Sequence, residues 1–203
     1  MNRKCSGDPH FSELLDSVRQ CRLCEESLPL GPRPVLQIDP RARILIAGQA
    51  PGRRVHETGV PFEDPSGDRL REWLGISRDD FYDATIVAIL PMGFCYPGTG
   101  KSGDLPPRPE CAEAWRRELL EQLPKIELTL VIGQYAQKWH LPHLEKNLTE
   151  TVRAWKDYGD SVMPLPHPSP RNNIWLKKNP WFADLLLPEL KKAAQHALKA
   201  SRL

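Results

Sequence analysis

The sequence predicts an α/β fold built on a mainly parallel sheet, and two observations carry that prediction. Four short apolar runs, ILIA (44–47), IVAIL (86–90), LTLVI (128–132) and a weaker SVMPL (161–165), are each bounded by turn residues. Between them lie segments with the 3.6-residue apolar period of helices. Continuous apolar runs suit strands buried on both faces, and their alternation with helices points to parallel pairing.

Taken in order, FSELLDSVRQC carries Phe11, Leu14, Leu15 and Val18 at helical spacing, so a first helix ends at CRLC. ILIA is the first strand. In SGDRLREWLG, Leu70, Trp73 and Leu74 repeat at i, i+3, i+4, with Ser66 as a candidate N-cap and Gly75 as a stop. AEAWRRELLEQL (112–123) is a further helix. The tail NPWFADLLLPELKKAAQHALKA is mostly helical, with Pro188 as a break or a first-turn residue. The four apolar runs are followed by GQAPG, PMGFC, GQYAQ and PHPSPRNN. In parallel sheets ligands bind beyond the carboxyl ends of the strands, so these loops are the candidates for a site. No repeat, low-complexity segment or linker interrupts the chain, and a single domain over 1–203 is expected.

The composition, 40% hydrophobic and 27% charged with a formal net charge of +2, is that of an ordinary soluble enzyme. Bulk charge therefore decides nothing about nucleic acid, which a localised basic surface would have to bind. No apolar run approaches the roughly 20 residues of a membrane span. MNRKCSGDPHFSELL lacks the apolar stretch of a signal peptide, so a cytoplasmic protein is expected. Five cysteines are an odd number, and in that compartment metal binding or catalysis is a better first reading than a disulfide framework.

The stretch CYPGTGKSGDLPPRPEC (95–111) contains GTGKS, the ending of a phosphate-cradling loop that would imply a nucleotide hydrolase. The first glycine of that motif falls on Cys95, however. The prolines at 106, 107 and 109 also forbid the helix whose N-terminus would hold the phosphates. The cysteines account for the stretch better. Cys21 and Cys24 form a C-x-x-C at a helix end, and Cys95 and Cys111 close the loop itself. Four thiolates from two segments can hold either tetrahedral zinc or an iron–sulfur cluster, and spacing does not choose between them. Cys5, in a polar terminus, reads as a spare.

CRLC, ILIAGQAPG, GVPFEDPSGDRL, the proline-rich C-x15-C and HPSPRNN, in that order, resemble the uracil-DNA glycosylase superfamily. The iron–sulfur branch, often called family 4, is the most similar. The extension P-R-N resembles instead the single-strand-selective branch. The resemblance implies a three-layer αβα fold with a central four-stranded sheet, and a 4Fe–4S cluster on Cys21, Cys24, Cys95 and Cys111. It further implies a monomeric hydrolase that flips a deaminated base, uracil first, from damaged DNA and breaks its N-glycosidic bond. A binder of damaged DNA or of a free base, without catalysis, is the alternative on the same fold.

By the same resemblance, His167 stabilises the departing base and Gln49 belongs to the catalytic set. Gly48, Ala50 and Phe62 meet the base, with Phe62 stacked on it. Ser169 and Arg171 meet the DNA, with Arg171 as the wedge into the emptied stack. From the residues themselves, Lys177 and Lys178 of WLKKNPW read either as backbone-phosphate contacts or as an ordinary basic turn, Lys101 as a further phosphate contact, and Asn172 or Asn173 as a stand-in base reader. Two positions depart from the family pattern. Gln49 stands where family 4 has glutamate, and Pro91 stands where it has a uracil-reading asparagine. Ala50 likewise replaces the water-positioning aspartate of family 1. Arg53, Arg54 and His56 of GRRVHETG are expected to face phosphate or solvent.

Overall fold

The computed structural model describes residues 9–101 and 103–202, so Cys5 and the Ser102 of GTGKS lie outside the described residues. The strands are β1 (Ile44–Ala47), β2 (Val87–Ile89), β3 (Thr99–Gly100), β4 (Gly103–Asp104), β5 (Leu128–Ile132) and β6 (Val162–Leu165). Four of them build the central sheet in the order β2-β1-β5-β6, and every pairing in it is parallel. Ile44 lies opposite Val87 on one side and Leu128 on the other. The predicted αβα arrangement with a four-stranded sheet is the one observed. β3 and β4 form a separate antiparallel hairpin, with two residues to a strand. The outer edge of β2 is covered by an antiparallel bridge from Gln37 to Ile89, which removes an exposed row of backbone donors and acceptors.

The helices are α1 (Pro9–Arg19), α2 (Arg53–Thr58), α3 (Pro65–Leu74), α4 (Arg78–Tyr82), α5 (Pro109–Cys111), α6 (Arg117–Glu121), α7 (Gly133–His140), α8 (Leu148–Arg153), α9 (Asn173–Lys178) and α10 (Leu187–Ser201). Because successive strand side chains point to opposite faces, ILIA feeds two cores at once. Ile44 and Ile46 join Leu70, Trp73 and Leu74 of α3 and Leu190 and Ala194 of α10. Leu45 joins Leu14 and Val18 of α1 and Leu119 of α6 on the other face.

Two helix starts differ from the sequence expectation. The N-cap of α3 is Asp64, not Ser66: its carboxylate accepts the Gly67 N–H at 2.9 Å, with Pro65 in the first turn. Proline fits there because its missing donor would be unsatisfied anyway, and Ser66 is carried into the buried first turn. The helix expected from 112 begins at Pro109, again a proline start, and passes through a π-helical turn at Ala112–Arg116 before α6. Gly75 ends α3 with φ 64°, as expected. Pro188 lies in the first turn of α10, after a π-helical turn over Phe182–Leu186.

Candidate active site

Chain order places β2 on one side of β1 and β5 on the other, so the sheet reverses direction of growth at β1. That reversal opens a crevice at the strand ends. A cleft of about 690 Å³ lies there. Its lining brings together the GQAPG loop after β1, Pro91 after β2, Phe62 and Asp64 ahead of α3, the β3–β4 hairpin, and His167 to Asn172 after β6. The GQYAQ segment after β5 starts α7 instead and is not part of the lining.

The first motif is stitched to its neighbour. Gly48 O accepts the Met92 N–H at 2.8 Å, and Gln49 O accepts the Gly93 N–H at 3.0 Å. The Gln49 side-chain amide donates to Leu105 O at 2.9 Å, tying this loop to the hairpin segment. Ala50 offers no polar group. Pro91 is buried in the floor, and its carbonyl already accepts a guanidinium hydrogen bond from Arg116 at 2.9 Å. Arg116 is fully buried, bonds Leu90 O as well, and meets His140 Nε2. Burial pushes its pKa down to about 10, and burial beside that cation pushes His140 down to about 3, so His140 is the neutral acceptor.

Phe62 has φ 54°, the one positive value outside glycine among the described residues. The strained turn is enforced from below: a Cβ on Gly67 would stand 1.8 Å from Phe62 O, so only glycine fits under it. The Phe62 ring reaches over Gly48 and packs edge-on against the buried Phe81, with centroids 6.1 Å apart. Of the acidic pair beside it, Glu63 is ion-paired to Arg78 at 2.8 Å, while Asp64 faces the cleft with one oxygen spent on the helix cap.

His167 is half-buried. The Ser169 N–H donates to its Nδ1 at 3.2 Å, so the proton of the neutral ring sits on Nε2, a hydrogen-bond donor. Burial lowers its pKa, and Arg171 adds to that. Asp64 and Asp104 act in the opposite direction. The loop around it is held firmly. The Asn172 side-chain amide donates to His167 O at 2.7 Å, Ser169 Oγ accepts from the Arg171 N–H, and Arg69 of α3 donates to Ser169 O and to Asn173 Oδ1. Arg171 reaches across the cleft mouth to Gly103, its Nη1 3.2 Å from where a Cβ would stand. Lys101, Lys177 and Lys178 are exposed and outside the cleft lining. Arg53 and Arg54 both line the cleft, Arg53 while paired to Glu57 at 3.0 Å, and His56 is buried against Tyr96, away from solvent.

Behind the hairpin the four cysteines are free thiols, Cys111 buried and the others half-buried. Burial pushes Cys111 up to about 12 and Cys95 to about 11. Neighbouring thiols add to both, so the four sulfurs stand close enough to feel one another. Cys111 accepts the Phe94 N–H, and Cys21 accepts the Trp115 indole N–H, each at 3.2 Å. Such N–H···S contacts favour thiolate while burial opposes it, so a bound cation is what would keep these sulfurs deprotonated as ligands. In chemistry the donor set therefore suits a metal centre. Among the described residues, however, no three His, Cys, Asp or Glu side chains are grouped as ligands to one metal ion.

Sequence reasoning had not singled out three residues: Asp104, Arg69 and Arg116. Asp64 reads from the sequence, with Glu63, as a candidate to position water or as solvated surface, and the Asp-Pro step was a readable signal for its role as the cap. The other three depend on contacts between distant segments, for which the sequence has no local mark.

A doubly flanked parallel sheet with a strand-end cleft holding an aromatic platform and a histidine donor defines an α/β enzyme-like architecture. Comparison makes this specific. The family model described as the Uracil DNA glycosylase superfamily matches residues 36–191, and the chain belongs to that superfamily. The matched span contains Cys95 and Cys111 and every cleft-lining residue except Val35, whereas Cys21 and Cys24 precede it. The chain is 24% identical over 173 residues to a type-4 uracil-DNA glycosylase of Sulfurisphaera tokodaii, covering 80% of this chain and 74% of that one. It is 27% identical over 161 residues to a type-4 uracil-DNA glycosylase of Thermotoga maritima, covering 76% and 79% respectively. No helix among the described residues is long and apolar enough to cross a membrane.

Proposed function

We propose that this protein is a monofunctional DNA glycosylase, acting as a single monomeric domain, that hydrolyses the N-glycosidic bond of a flipped deaminated base, uracil first. The observation that carries the reading is His167. Its Nδ1 is occupied by the Ser169 amide, which leaves Nε2–H to donate into a cleft floored by Phe62. As the glycosidic bond breaks, its electron pair moves onto the base, and a fixed neutral donor at the base oxygen stabilises that charge as it develops. Phe62 supplies a stacking face for an extruded base, held at a set depth by its backbone. None of the described cleft-lining residues is a lysine, which favours water over an amine as the nucleophile. Arg54 and Arg171 at the mouth, with Lys101, Lys177 and Lys178 beyond it, supply the localised basic surface that the bulk charge does not.

Cys21, Cys24, Cys95 and Cys111 would hold a 4Fe–4S cluster. Four cysteine sulfurs near enough to influence one another are the donor set such a cluster takes, with one structural zinc ion as the alternative. When bound, such a cluster supplies a cross-link between the end of α1 and the 95–111 loop, and no step of the hydrolysis is assigned to it. The kinship with type-4 uracil-DNA glycosylases supports the same assignment.

The reading is tested by a cleavage panel of oligonucleotides containing uracil, hypoxanthine or xanthine, single- and double-stranded. His167→Ala should lower cleavage by about a hundredfold or more while leaving DNA affinity nearly unchanged. Retained DNA affinity with no cleavage of any substrate would make the protein a binder instead.

A further inference from the structure

The first motif has lost both carboxylates that could manage water. Ala50 has none, and the amide at Gln49 is turned to Leu105 O. That hydrogen bond has a consequence, because it draws the hairpin onto the motif and sets the residue before Leu105 at the cleft wall. Asp104 lines the cleft, with Oδ2 standing 3.5 Å from where a Cβ on Gly52, the last residue of GQAPG, would lie. Its side chain has no hydrogen bond or ion pair with any other described residue, whereas Asp64 is committed through Oδ1 to the α3 cap and Glu63 to Arg78. Asp104 is also near enough to His167 to oppose the fall in its pKa.

We propose that Asp104, delivered by the hairpin between the two loop cysteines, is the catalytic carboxylate that takes the place of the missing one in the first motif. The proposal rests on the glycosylase reading above. The two ends of the reaction need opposite partners. The departing base gains an electron pair and is met by the His167 N–H. The sugar carbon loses that pair, becomes electron-poor and must be met by water. In the step assigned to Asp104, the C1′–N bond breaks with its electrons on the base, the water oxygen bonds C1′, and the proton released from that water passes to the carboxylate. An anionic carboxylate also stabilises the positive charge on the sugar before water arrives. The free carboxylate and the neutral donor thus have complementary tasks in one cleft. The loop that resembled a phosphate cradle would then contribute chemistry of its own through Asp104.

The test is single-turnover cleavage of a uracil-containing oligonucleotide by the unsubstituted chain, Asp104→Asn, Asp104→Glu, Asp104→Ala and Asp64→Asn, with affinity for a non-cleavable 2′-fluoro uracil analogue measured in parallel. Asp104→Asn should cleave about a hundredfold more slowly with its affinity held within about threefold. Asp104→Glu should recover most of the rate, and added formate should raise the rate of Asp104→Ala, which a merely structural residue would not allow. Cleavage by Asp104→Asn within about threefold of the unsubstituted chain overturns the proposal. So does an equal loss of rate and affinity, or a loss confined to Asp64→Asn, which would move the role to Asp64. In those cases cleavage by the unsubstituted chain leaves the glycosylase reading standing, whereas its failure on every substrate overturns both.

Discussion

The loop after β6 and the β3–β4 hairpin face each other across the cleft and meet where Arg171 reaches Gly103, yet they are held by different means. The first is fastened by hydrogen bonds of the protein itself. Arg69 grips Ser169 and Asn173, Asn172 grips the His167 carbonyl, and Pro168 and Pro170 stiffen the backbone between them. The second has two-residue strands, the Gln49–Leu105 bond and a cysteine at each end. One wall is set by a helix that belongs to the main core, and the other is a short hairpin flanked by free thiols. On the cluster reading proposed above, the wall with the histidine forms with the fold, whereas the wall with Asp104 depends in addition on what the thiols bind.

The largest break in that comparison comes from the cysteines. Cys111→Ser should loosen the hairpin wall alone. With the proposed cluster bound, tying a loop of this size is worth about 3 kcal/mol by chain entropy, so the melting temperature should fall by roughly 6–12 °C. Amide exchange should speed up over 95–111 while 162–173 keeps its protection; uniform loss across both segments would mean that the walls share one support. Arg69→Gln is the matching cut on the other wall. It removes hydrogen bonds from a charged donor, each worth about 1.5–3 kcal/mol, and the cost should appear as a lower kcat with little change in KM because His167 loses its aim. A change in melting temperature with unaltered kcat would deny Arg69 its positioning role.

The smallest effect is on pH dependence. Burial holds His56, His140 and His167 below the ordinary histidine range, with His140 at about 3. All three therefore take up a proton less readily in the fold than in the unfolded chain, where they gain protons as pH falls through about 6.5. Stability is full above that value and declines below it, by at most about 1.4 kcal/mol per pH unit for each histidine. Urea midpoints measured at about pH 7.5 and about pH 5, roughly 1 unit above and 1.5 units below the turning point, should show the decline, and His140→Asn should make it shallower.

The central strands were legible because ILIA and LTLVI are apolar at every position, a pattern that a sheet covered on both faces requires. The cleft was legible through its motifs, since Gly48 and His167 follow strand ends and Phe62 stands just ahead of α3. The hairpin was not: two-residue strands leave no periodicity to read. The wrong cap at Ser66 came from weighing residue type over the Asp-Pro step, where the missing proline donor fixes the start. The buried Arg116 was hidden because a charged residue in AEAWRRELLEQL reads as a solvated face, whereas it lies at the end of a π-helical turn and is fully buried.

That guanidinium leaves the cleft floor with an unusual property. At Pro91 the backbone is silent: the ring has removed the donor, and Arg116 has already claimed the acceptor. On the glycosylase reading proposed above, a base edge settling against this floor finds no backbone donor at Pro91 and a carbonyl already engaged by Arg116, so position 91 behaves like an unwritten letter in the recognition code. Exchanging Pro91 for a residue with an amide or hydroxyl would inscribe a preference there without taking a hydrogen bond from any other part of the molecule.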